Sequence, residues 1–429
     1  MKLREELEKR GLLYQFSDEK LFDLYDKGWQ WFYAGMDPTS DSLHVGNFIV
    51  FMNAVNFMKR RNKLYLIVWG ATGMIGDPGG KESERNFLDE EILAHNVACI
   101  TTQVKNILEN LTQLSGEKFQ FEVINNTEFY KNMGYLQFLR EVWKYVSVNQ
   151  MMNKETVKKR IEDPDKSISY AEFSYMLIQW FDFLSLYEKK KVKLQICGSD
   201  QWGNGVTGIE LIRKKLDQEA YVMTGPLILD ATGKKFWKSE WNAIRLDPKK
   251  TSPYQAYQYF INTMDADVER YLKLLTLLDF DKIQGISQIH IQNPAIRYGQ
   301  KQLANYVVTT IYGEKASQQA QKITEILFSD DKMEVIKSLD KEESEAVLKE
   351  VGGVQLSVKS GDTKIIDIST QTGLTDSNGD AKKCIQSGSL FCNEQKVTDP
   401  QQIITSKDFV NGLLLLRKGK KVFKIVKLS

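Results

Sequence analysis

Three polar or small residues near the start of the chain have the spacing of a phosphate site. Residues 32–35 are predicted to form a strand, and the turn after it leads to His44, Gly46 and Asn47. Because His44 and Asn47 are three positions apart, they share one face at the start of a helix. A helix start offers N–H groups and a positive dipole end, and glycine lets a nucleotide approach the backbone. A helix with a merely polar first turn has the same pattern.

A pair of lysines follows about 190 residues later. Lys235 and Lys238 precede Ser239 and come after a turn at residues 230–233. Such lysines can neutralise the charge that builds when a carboxylate attacks a phosphate, which is electrostatic catalysis without a covalent enzyme intermediate. A solvated basic loop has the same composition. The order and spacing of the two motifs favour a shared ATP site.

A third set of polar residues recurs at helical spacing. Tyr175, Gln179 and Asp182 are at positions i, i+4 and i+7 of a predicted helix over residues 173–186, so they stripe one face. Taken alone, this stripe is typical of an amphipathic helix that packs its aromatic residue into the core. The residues themselves leave binding and packing both open.

Strands and helices alternate through the first half of the chain. The predicted strands are residues 32–35, 64–68, 119–124 and 192–197. This alternation, with loops at the carboxyl ends of strands, predicts an α/β fold with a doubly wound parallel sheet. Residues 252–329 are mostly helical in pattern, residues 330–350 resemble a charged linker, and the last segment mixes short strands with one helix.

The composition is that of a globular protein. Of 429 residues, 42% are hydrophobic and 27% are charged. Four scattered cysteines without a C-x-x-C pair predict reduced thiols, neither a disulfide frame nor a zinc site, and we expect no metal site built by the protein. No apolar run approaches the roughly 20 residues that span a bilayer, and the charged N-terminus does not resemble a signal peptide. We therefore expect a cytoplasmic protein that makes no membrane contact.

The charge is distributed unevenly. The formal net charge is only +2, yet residues 363–429 carry 11 Lys or Arg against 6 Asp or Glu, and six of these cations lie within residues 417–427. A basic terminal segment predicts a phosphate-rich partner, with a solvated charged tail as an equal alternative.

These segments together resemble the bacterial-type tyrosyl-tRNA synthetases, a family of class I aminoacyl-tRNA synthetases. Residues 198–204 (Gly-Ser-Asp-Gln-Trp-Gly-Asn) match the family pattern residue for residue, where a strand-to-helix turn is the alternative. The resemblance covers nearly the whole chain. It implies a Rossmann-like catalytic domain at 1–235, a lysine loop and α-helical anticodon-side domain at 236–330, a linker at 331–362 and a small α+β RNA-binding domain at 363–429.

The resemblance also implies a reaction and roles for single residues. Tyrosine and ATP give tyrosyl-adenylate and pyrophosphate, with Mg²⁺ on the phosphates, and tyrosine then passes to the 3′ end of its tRNA. The implied catalytic residues are His44, Asn47 (most often histidine in the family), Lys235 and Lys238. The implied ATP contacts are Asp37, Gly46, Gly198, Asp200, Lys238 and Ser239, with Asp200 on the ribose. For tyrosine they are Tyr175, Gln179 and Asp77 at the amino group, Tyr33 and Asp182 at the phenolic hydroxyl, and Gln201 as a positioning group.

Five tryptophans stand where the family usually has a small residue, mostly glycine: Trp69, Trp143, Trp180, Trp237 and Trp241. Glycine serves where φ is positive or a ligand grazes the backbone, and an indole there adds strain. Our hypothesis is that the source reads UGA as glycine while this chain was translated with tryptophan. UGG at those five codons would refute it. The alternative is a divergent enzyme with a repacked site.

The resemblance leaves rival functions to weigh. It implies a homodimer with residues 125–140 near the interface. A tryptophanyl enzyme would share the fold, but Asp182 together with Tyr33 argues against it because indole has no hydroxyl to pair. A non-catalytic RNA-binding protein descended from a synthetase would tolerate the five tryptophans, although Asp37, His44, Asp200 and Lys238 are all intact.

Overall fold

The structure is a computed structural model in which the chain forms two compact units. It describes residues 1–73, 89–152, 157–158, 161–163, 168–226, 244–328, 332–351, 354–356, 363–419 and 422–428. One unit comprises residues 1–252 and 259–314, and the other comprises residues 253–258 and 315–429. The four-part division expected from the sequence stays a prediction.

The first unit is built on a sheet of six strands. They are β1 (Gln15–Phe16), β2 (Trp31–Met36), β3 (Lys63–Val68), β4 (Gln120–Asn125), β5 (Leu194–Gly198) and β6 (Tyr221–Gly225), in the spatial order β1-β6-β5-β2-β3-β4. All neighbours are parallel except β1, which is antiparallel to β6. β3 is apolar and buried on both faces, as central parallel strands are, whereas the edge strand β4 alternates.

The strand order fixes where a ligand can bind. From β2 the chain builds outward through β3 and β4, and it then returns to β5 on the other side of β2. The carboxyl ends of β2 and β5 therefore flank the point where the winding reverses. In open α/β sheets the crevice at that point is the usual ligand site.

Helices cover both faces of this sheet and continue into the following segment. Before residue 252 they are α1 (Leu3–Arg10), α2 (Lys20–Asp26), α3 (Val45–Met58), α4 (Gly70–Gly73), α5 (Glu90–Ser115), α6 (Thr127–Tyr130), α7 (Tyr135–Glu141), α8 (Val148–Met152), α9 (Tyr170–Lys190) and α10 (Trp202–Leu216). After it come α11 (Pro253–Ile261), α12 (Val268–Leu275), α13 (Phe280–Gln292) and α14 (Tyr298–Tyr312). Short 3₁₀ turns lie at Trp143–Tyr145, Ser199–Gln201, Asp265–Asp267 and Pro294–Ile296.

The second unit is a small mixed domain. Its helices are α15 (Glu314–Phe328), α16 (Lys332–Lys337), α17 (Lys341–Val351), α18 (Ile365–Gln371) and α19 (Asn378–Gln386), with a 3₁₀ turn at Ser406–Asp408. Its strands are β7 (Val354–Leu356), β8 (Thr363–Lys364), β9 (Leu390–Cys392), β10 (Gln395–Lys396), β11 (Ile403–Ile404), β12 (Leu413–Lys418) and β13 (Val422–Leu428). Five of them form the sheet β10-β9-β12-β13-β7.

Strand β12 explains why this sheet is covered on both sides. Leu414 and Leu416 pack into one apolar cluster, while Leu413 and Leu415 pack into another. Because successive side chains of a strand point to opposite faces, four leucines in a row supply two cores. Helices α16 and α17, inside the segment expected to be a linker, contribute to the second cluster.

The structure confirms the predicted α/β class with its parallel sheet, helical segment and small terminal domain. The four predicted strands correspond to β2, β3, β4 and β5 within one or two residues at each end. Two strands escaped the sequence analysis, β1 and β6. In the described part of the chain, no helix is long and apolar enough to cross a membrane.

Candidate active site

A cavity of about 260 Å³ opens at the carboxyl ends of β2 and β5. Seven residues expected from the sequence line it: Asp37, His44, Gly46, Asn47, Gly198, Asp200 and Gln201. Gly35, Met36, Trp69 and Cys197 are among the others. The winding of the sheet thus brings together residues that are up to 164 positions apart in the chain.

His44 and Asn47 form the cap of helix α3. The Asn47 N–H donates to His44 Nδ1 at 3.3 Å, and the His44 N–H donates to Asn47 Oδ1 at 3.1 Å. Because Nδ1 accepts, the proton of a neutral His44 sits on Nε2. Burial, and then the Arg245 guanidinium, lower the pKa of His44 below its usual 6.5. At neutral pH this side chain is therefore an uncharged imidazole with one N–H to donate.

The first turn of α3 leaves one amide available. The Val45 N–H donates to the Ile244 carbonyl, and the Phe48 N–H donates to the His44 carbonyl. With the Asn47 N–H used in the cap, the Gly46 N–H has no acceptor within the described residues. It lies at the cavity wall near the positive end of a 14-residue helix, where an anion is stabilised.

The opposite wall carries a carboxylate held against glycine. A Cβ on Gly198 would come within 2.6 Å of Asp200 Oδ1, so any larger residue would displace that carboxylate. Asp200 lies in the short turn Ser199–Gln201, and Asp37 directly follows β2. These two carboxylates face the same cavity as the start of α3.

Three amide side chains link the cavity to helix α9. Asn204 Nδ2 donates to Gln179 Oε1 at 2.9 Å and to Gln201 Oε1 at 3.0 Å, while Gln179 Nε2 donates to Gln201 Oε1 at 3.2 Å. Gln179 is only 2% exposed, and this network fixes which way its amide points. Asn204 lay within the motif that the sequence singled out, but no role was predicted for it.

Asp182 is fully buried and receives two donors. Asn126 Nδ2 donates to Oδ2 at 2.9 Å, and the Tyr130 hydroxyl donates to Oδ1 at 2.7 Å. Burial raises the pKa of Asp182 from 3.8 to about 8, against the two hydrogen bonds, which lower it. Asn126 Oδ1 also accepts from the Ala71 N–H at 2.8 Å, so one amide joins Asp182 to the segment after β3.

Tyr33 and Tyr175 are each 1% exposed. The Tyr33 hydroxyl has no hydrogen-bond partner within the described residues. Burial, and next the nearby Asp182, raise its pKa well above 10, so it stays a neutral phenol. An unpaired buried hydroxyl is costly unless a ligand supplies the partner.

Trp69 lines the cavity beside strand β2. A Cβ on Gly35 would lie far too close to the indole ring, which shows that the ring packs directly against the Gly35 backbone. Trp69 lines the cavity, whereas Tyr33, Tyr175, Gln179 and Asp182 do not. Trp69, Tyr33 and Trp180 belong to one buried cluster. Trp69 is therefore shared by the cavity lining and by the buried cluster that contains Tyr33.

The other unexpected tryptophans have different surroundings. Trp180 is fully buried in helix α9. Trp143 stacks on Tyr170 with ring centroids 5.9 Å apart, and its buried Nε1 finds no hydrogen-bond partner within the described residues. Trp29, which is not one of the five, has φ of 63°, a value that disfavours bulky residues.

Several expected residues lie outside the described part of the chain: Asp77, Lys235, Lys238 and Ser239, together with Trp237 and Trp241. Their roles stay predictions. The sequence analysis also missed Asn126 and Tyr130. An asparagine directly after β4 is a detectable signal, because polar residues at strand ends face the site edge, but nothing in the sequence distinguishes Tyr130 from a core tyrosine.

Half of the basic residues at the chain end are engaged inside the second unit. Arg417 pairs with Glu394 at 2.5 Å and stacks on Phe391, Lys418 pairs with Asp380, and Lys427 pairs with Glu345. Lys424 is described without such a pair, and Lys420 and Lys421 lie outside the described residues. Three of the six cations are thus held in ion pairs within the unit, so fewer of them are left to contact a polyanion than the sequence alone suggests.

Known proteins match nearly the whole chain. Residues 30–329 match the family model of class I tRNA synthetases (W and Y), and residues 343–426 match that of the tyrosine–tRNA ligase SYY-like C-terminal domain. The tyrosine–tRNA ligase of Amoebophilus asiaticus is 42% identical over 402 residues and 92% of each chain. That of Streptococcus gordonii is 40% identical over 425 residues and 99% of each chain. The crystal structure of a C-terminally truncated mitochondrial tyrosyl-tRNA synthetase from Aspergillus nidulans has a TM-score of 0.69 at 29% identity, covering 76% of this chain and 94% of its own.

Proposed function

The chain belongs to the tyrosine–tRNA ligases among the class I tRNA synthetases, and we propose that it activates tyrosine in the cavity between β2 and β5. It is an aminoacyl-tRNA ligase, whose substrates are ATP, tyrosine and tRNA. The observation that carries the placement is the lining of one cavity by a helix start, two carboxylates and the Gly198 turn.

In this proposal the start of α3 binds the ATP phosphates. The Gly46 N–H and the Nε2–H of neutral His44 donate to phosphate oxygens, and the Asn47 amide nitrogen adds a third donor. Donors fixed by a cap need no reorganisation as charge moves from the tyrosine carboxylate to the α-phosphate. The lysine loop would neutralise further negative charge at the phosphates and contact ATP through Lys235, Lys238 and Ser239. Asp200 would hold the ribose.

Magnesium fits as the counter-ion of ATP. Within the described residues no group of three metal-ligating side chains exists, so the protein offers no dedicated cage there. Mg²⁺ commonly takes one or two carboxylates and keeps substrate phosphates and water as its other ligands. Asp37 and Asp200 are the carboxylates at the cavity that suit this arrangement.

The tyrosine side of the proposal uses the buried polar residues beside the cavity. Tyr33 and Asp182 would pair with the phenolic hydroxyl, and Tyr175, Gln179 and Asp77 would bind the amino group, with Gln201 positioned by Asn204. The Tyr33 hydroxyl finds no partner among the residues that the structure describes, which supports this assignment because a substrate hydroxyl would satisfy it. Phenylalanine has no hydroxyl to offer to either group.

Two further proposals concern assembly and location. We propose a homodimer through the surface around residues 125–140, where Tyr135 and Leu136 are 61% and 79% exposed. We place the enzyme in the cytoplasm, which agrees with four free cysteines. The second unit, with Lys424 and its neighbours, would contact the tRNA backbone.

Tyrosine-dependent ATP–pyrophosphate exchange tests the proposal. The assay compares this chain with a version carrying glycine at positions 69, 143, 180, 237 and 241. Activity only in the glycine version supports both the site and the UGA hypothesis. Equal activity in both means that the site accommodates the indoles. If neither version shows exchange activity but both still bind tRNA, a non-catalytic RNA-binding role would replace the proposal.

A further inference from the structure

Tyr130 makes the shorter of the two side-chain hydrogen bonds to the Asp182 carboxyl given above. Its hydroxyl lies 2.7 Å from Asp182 Oδ1 and 2.9 Å from the Ile178 carbonyl oxygen, one helical turn earlier in α9. A hydroxyl has one proton, so it serves one of these acceptors fully at a time. With Asp182 ionised, the carboxylate is the stronger acceptor and takes the proton.

We propose that Tyr130 is a positioning residue for tyrosine specificity, which turns the Asp182 carboxyl towards the substrate hydroxyl and favours its ionised form. The inference rests on the proposed function, in which Asp182 and Tyr33 meet the phenol. Helix α6 supplies both donors, because Asn126 precedes it and Tyr130 ends it. Each Asp182 oxygen then has one fixed partner and one lone pair left for a ligand.

With a pKa of about 8, Asp182 is mostly protonated in the empty site at neutral pH, and the two donors raise its ionised fraction above what burial alone would allow. Burial opposes the charge, and the two donors favour it. Among the described residues, the titratable groups facing this carboxyl are Tyr130 from α6 and Tyr33 from β2, with Cys197 from β5 close to Tyr33. Burial holds the pKa of both phenols well above 10, and that of the Cys197 thiol above its usual range, so of these four groups Asp182 is the one that titrates between pH 5 and 9.

The discriminating measurement is the ratio of kcat/KM for tyrosine to that for phenylalanine. In the glycine version, Tyr130→Phe removes only the hydroxyl. We expect kcat/KM for tyrosine to fall roughly tenfold while the phenylalanine value stays within about twofold, because a hydrogen bond to a charged group is lost only for the substrate that uses Asp182. A fall that is equal for both substrates, or an unchanged ratio, would overturn the proposal.

Tyr25→Phe is the matched control. Tyr25 is also buried, and its hydroxyl donates to the Trp31 carbonyl at 2.8 Å, away from Asp182. This variant should lose similar stability and keep the specificity ratio.

A second readout needs no activity. In ligand-free protein labelled with ¹³C at aspartate carboxyls, with Asp182→Asn assigning the signal, Tyr130→Phe should raise the pKa of Asp182. An unchanged pKa of Asp182 would overturn the proposal even if the protein shows no pyrophosphate exchange. Absence of pyrophosphate exchange alone would count against the proposed function and not against this inference.

Discussion

At the scale of single residues, Asp182 sets a pH dependence of stability. Its pKa is about 8 in the folded chain and near 3.8 unfolded, so the folded state binds the proton more tightly between these values. Stability from this group is fully present below pH 4 and is lost as pH rises towards 8. Asp182→Asn removes the titration. We expect the parent to lose about 2 kcal/mol more than the variant between pH 6 and 8.5, measured by urea unfolding at both values.

The comparison of the parent with Asp182→Asn also has a result that would contradict the prediction. Asparagine keeps the size of the side chain, and the Tyr130 hydroxyl can accept from the new amide while donating to Ile178. Parallel stability profiles of parent and variant would show that Asp182 is not buried as described.

At the scale of elements, the carboxyl ends of β2 and β3 decide whether tyrosine can enter. Trp69 follows β3, packs on Gly35 of β2 and lines the cavity, and it belongs to the same buried cluster as Tyr33. In an otherwise unchanged chain, Trp69→Gly should lower KM for tyrosine in pyrophosphate exchange roughly tenfold, because removing a misplaced large side chain relieves about 1–3 kcal/mol of overpacking.

Trp29→Gly is the control for the Trp69→Gly substitution. Trp29 is 57% exposed and has a left-handed backbone that glycine adopts without strain. The same chemical substitution far from the cavity should leave KM for tyrosine unchanged. An unchanged KM in Trp69→Gly as well would mean that the indole does not obstruct the substrate.

The helices and strands also differ in how well the sequence predicts them. Strand β3 is apolar and lies between turn signals, so its existence follows from the pattern. The strand β1 has two residues, too few for a periodic pattern, and its pairing with β6 defines it. β6 is an apolar run that ends at Gly225-Pro226, a turn signal that the sequence analysis did not use. His44 and Asn47 were found from their spacing, but their reciprocal cap was not, because it depends on the φ and ψ of His44. Tyr130 reaches Asp182 across 52 positions, a contact that local patterns do not encode.

At the scale of the whole molecule, assembly should depend on the exposed apolar surface of α7. Tyr135 and Leu136 begin this helix, and the described part of the chain buries none of its residues. The proposed dimer would have twice the mass of the 49.4 kDa chain. Leu136→Asp places a charge in the proposed interface and should convert dimer to monomer at micromolar concentration in size-exclusion chromatography with light scattering, because an unpaired buried charge costs several kcal/mol.

The matched control for assembly is Ile291→Asp. Ile291 lies on α13 and is 72% exposed, so it offers the same apolar-to-charged change on another surface. It should leave the dimer intact. Loss of the dimer in both variants would point to general destabilisation, whereas a dimer that survives Leu136→Asp would exclude this face. Residues 125–140 also contain Asn126 and Tyr130, the two hydrogen-bond donors to Asp182. A dimer formed through this surface would stabilise α6, which positions these donors. Leu136→Asp would then weaken tyrosine activation together with assembly.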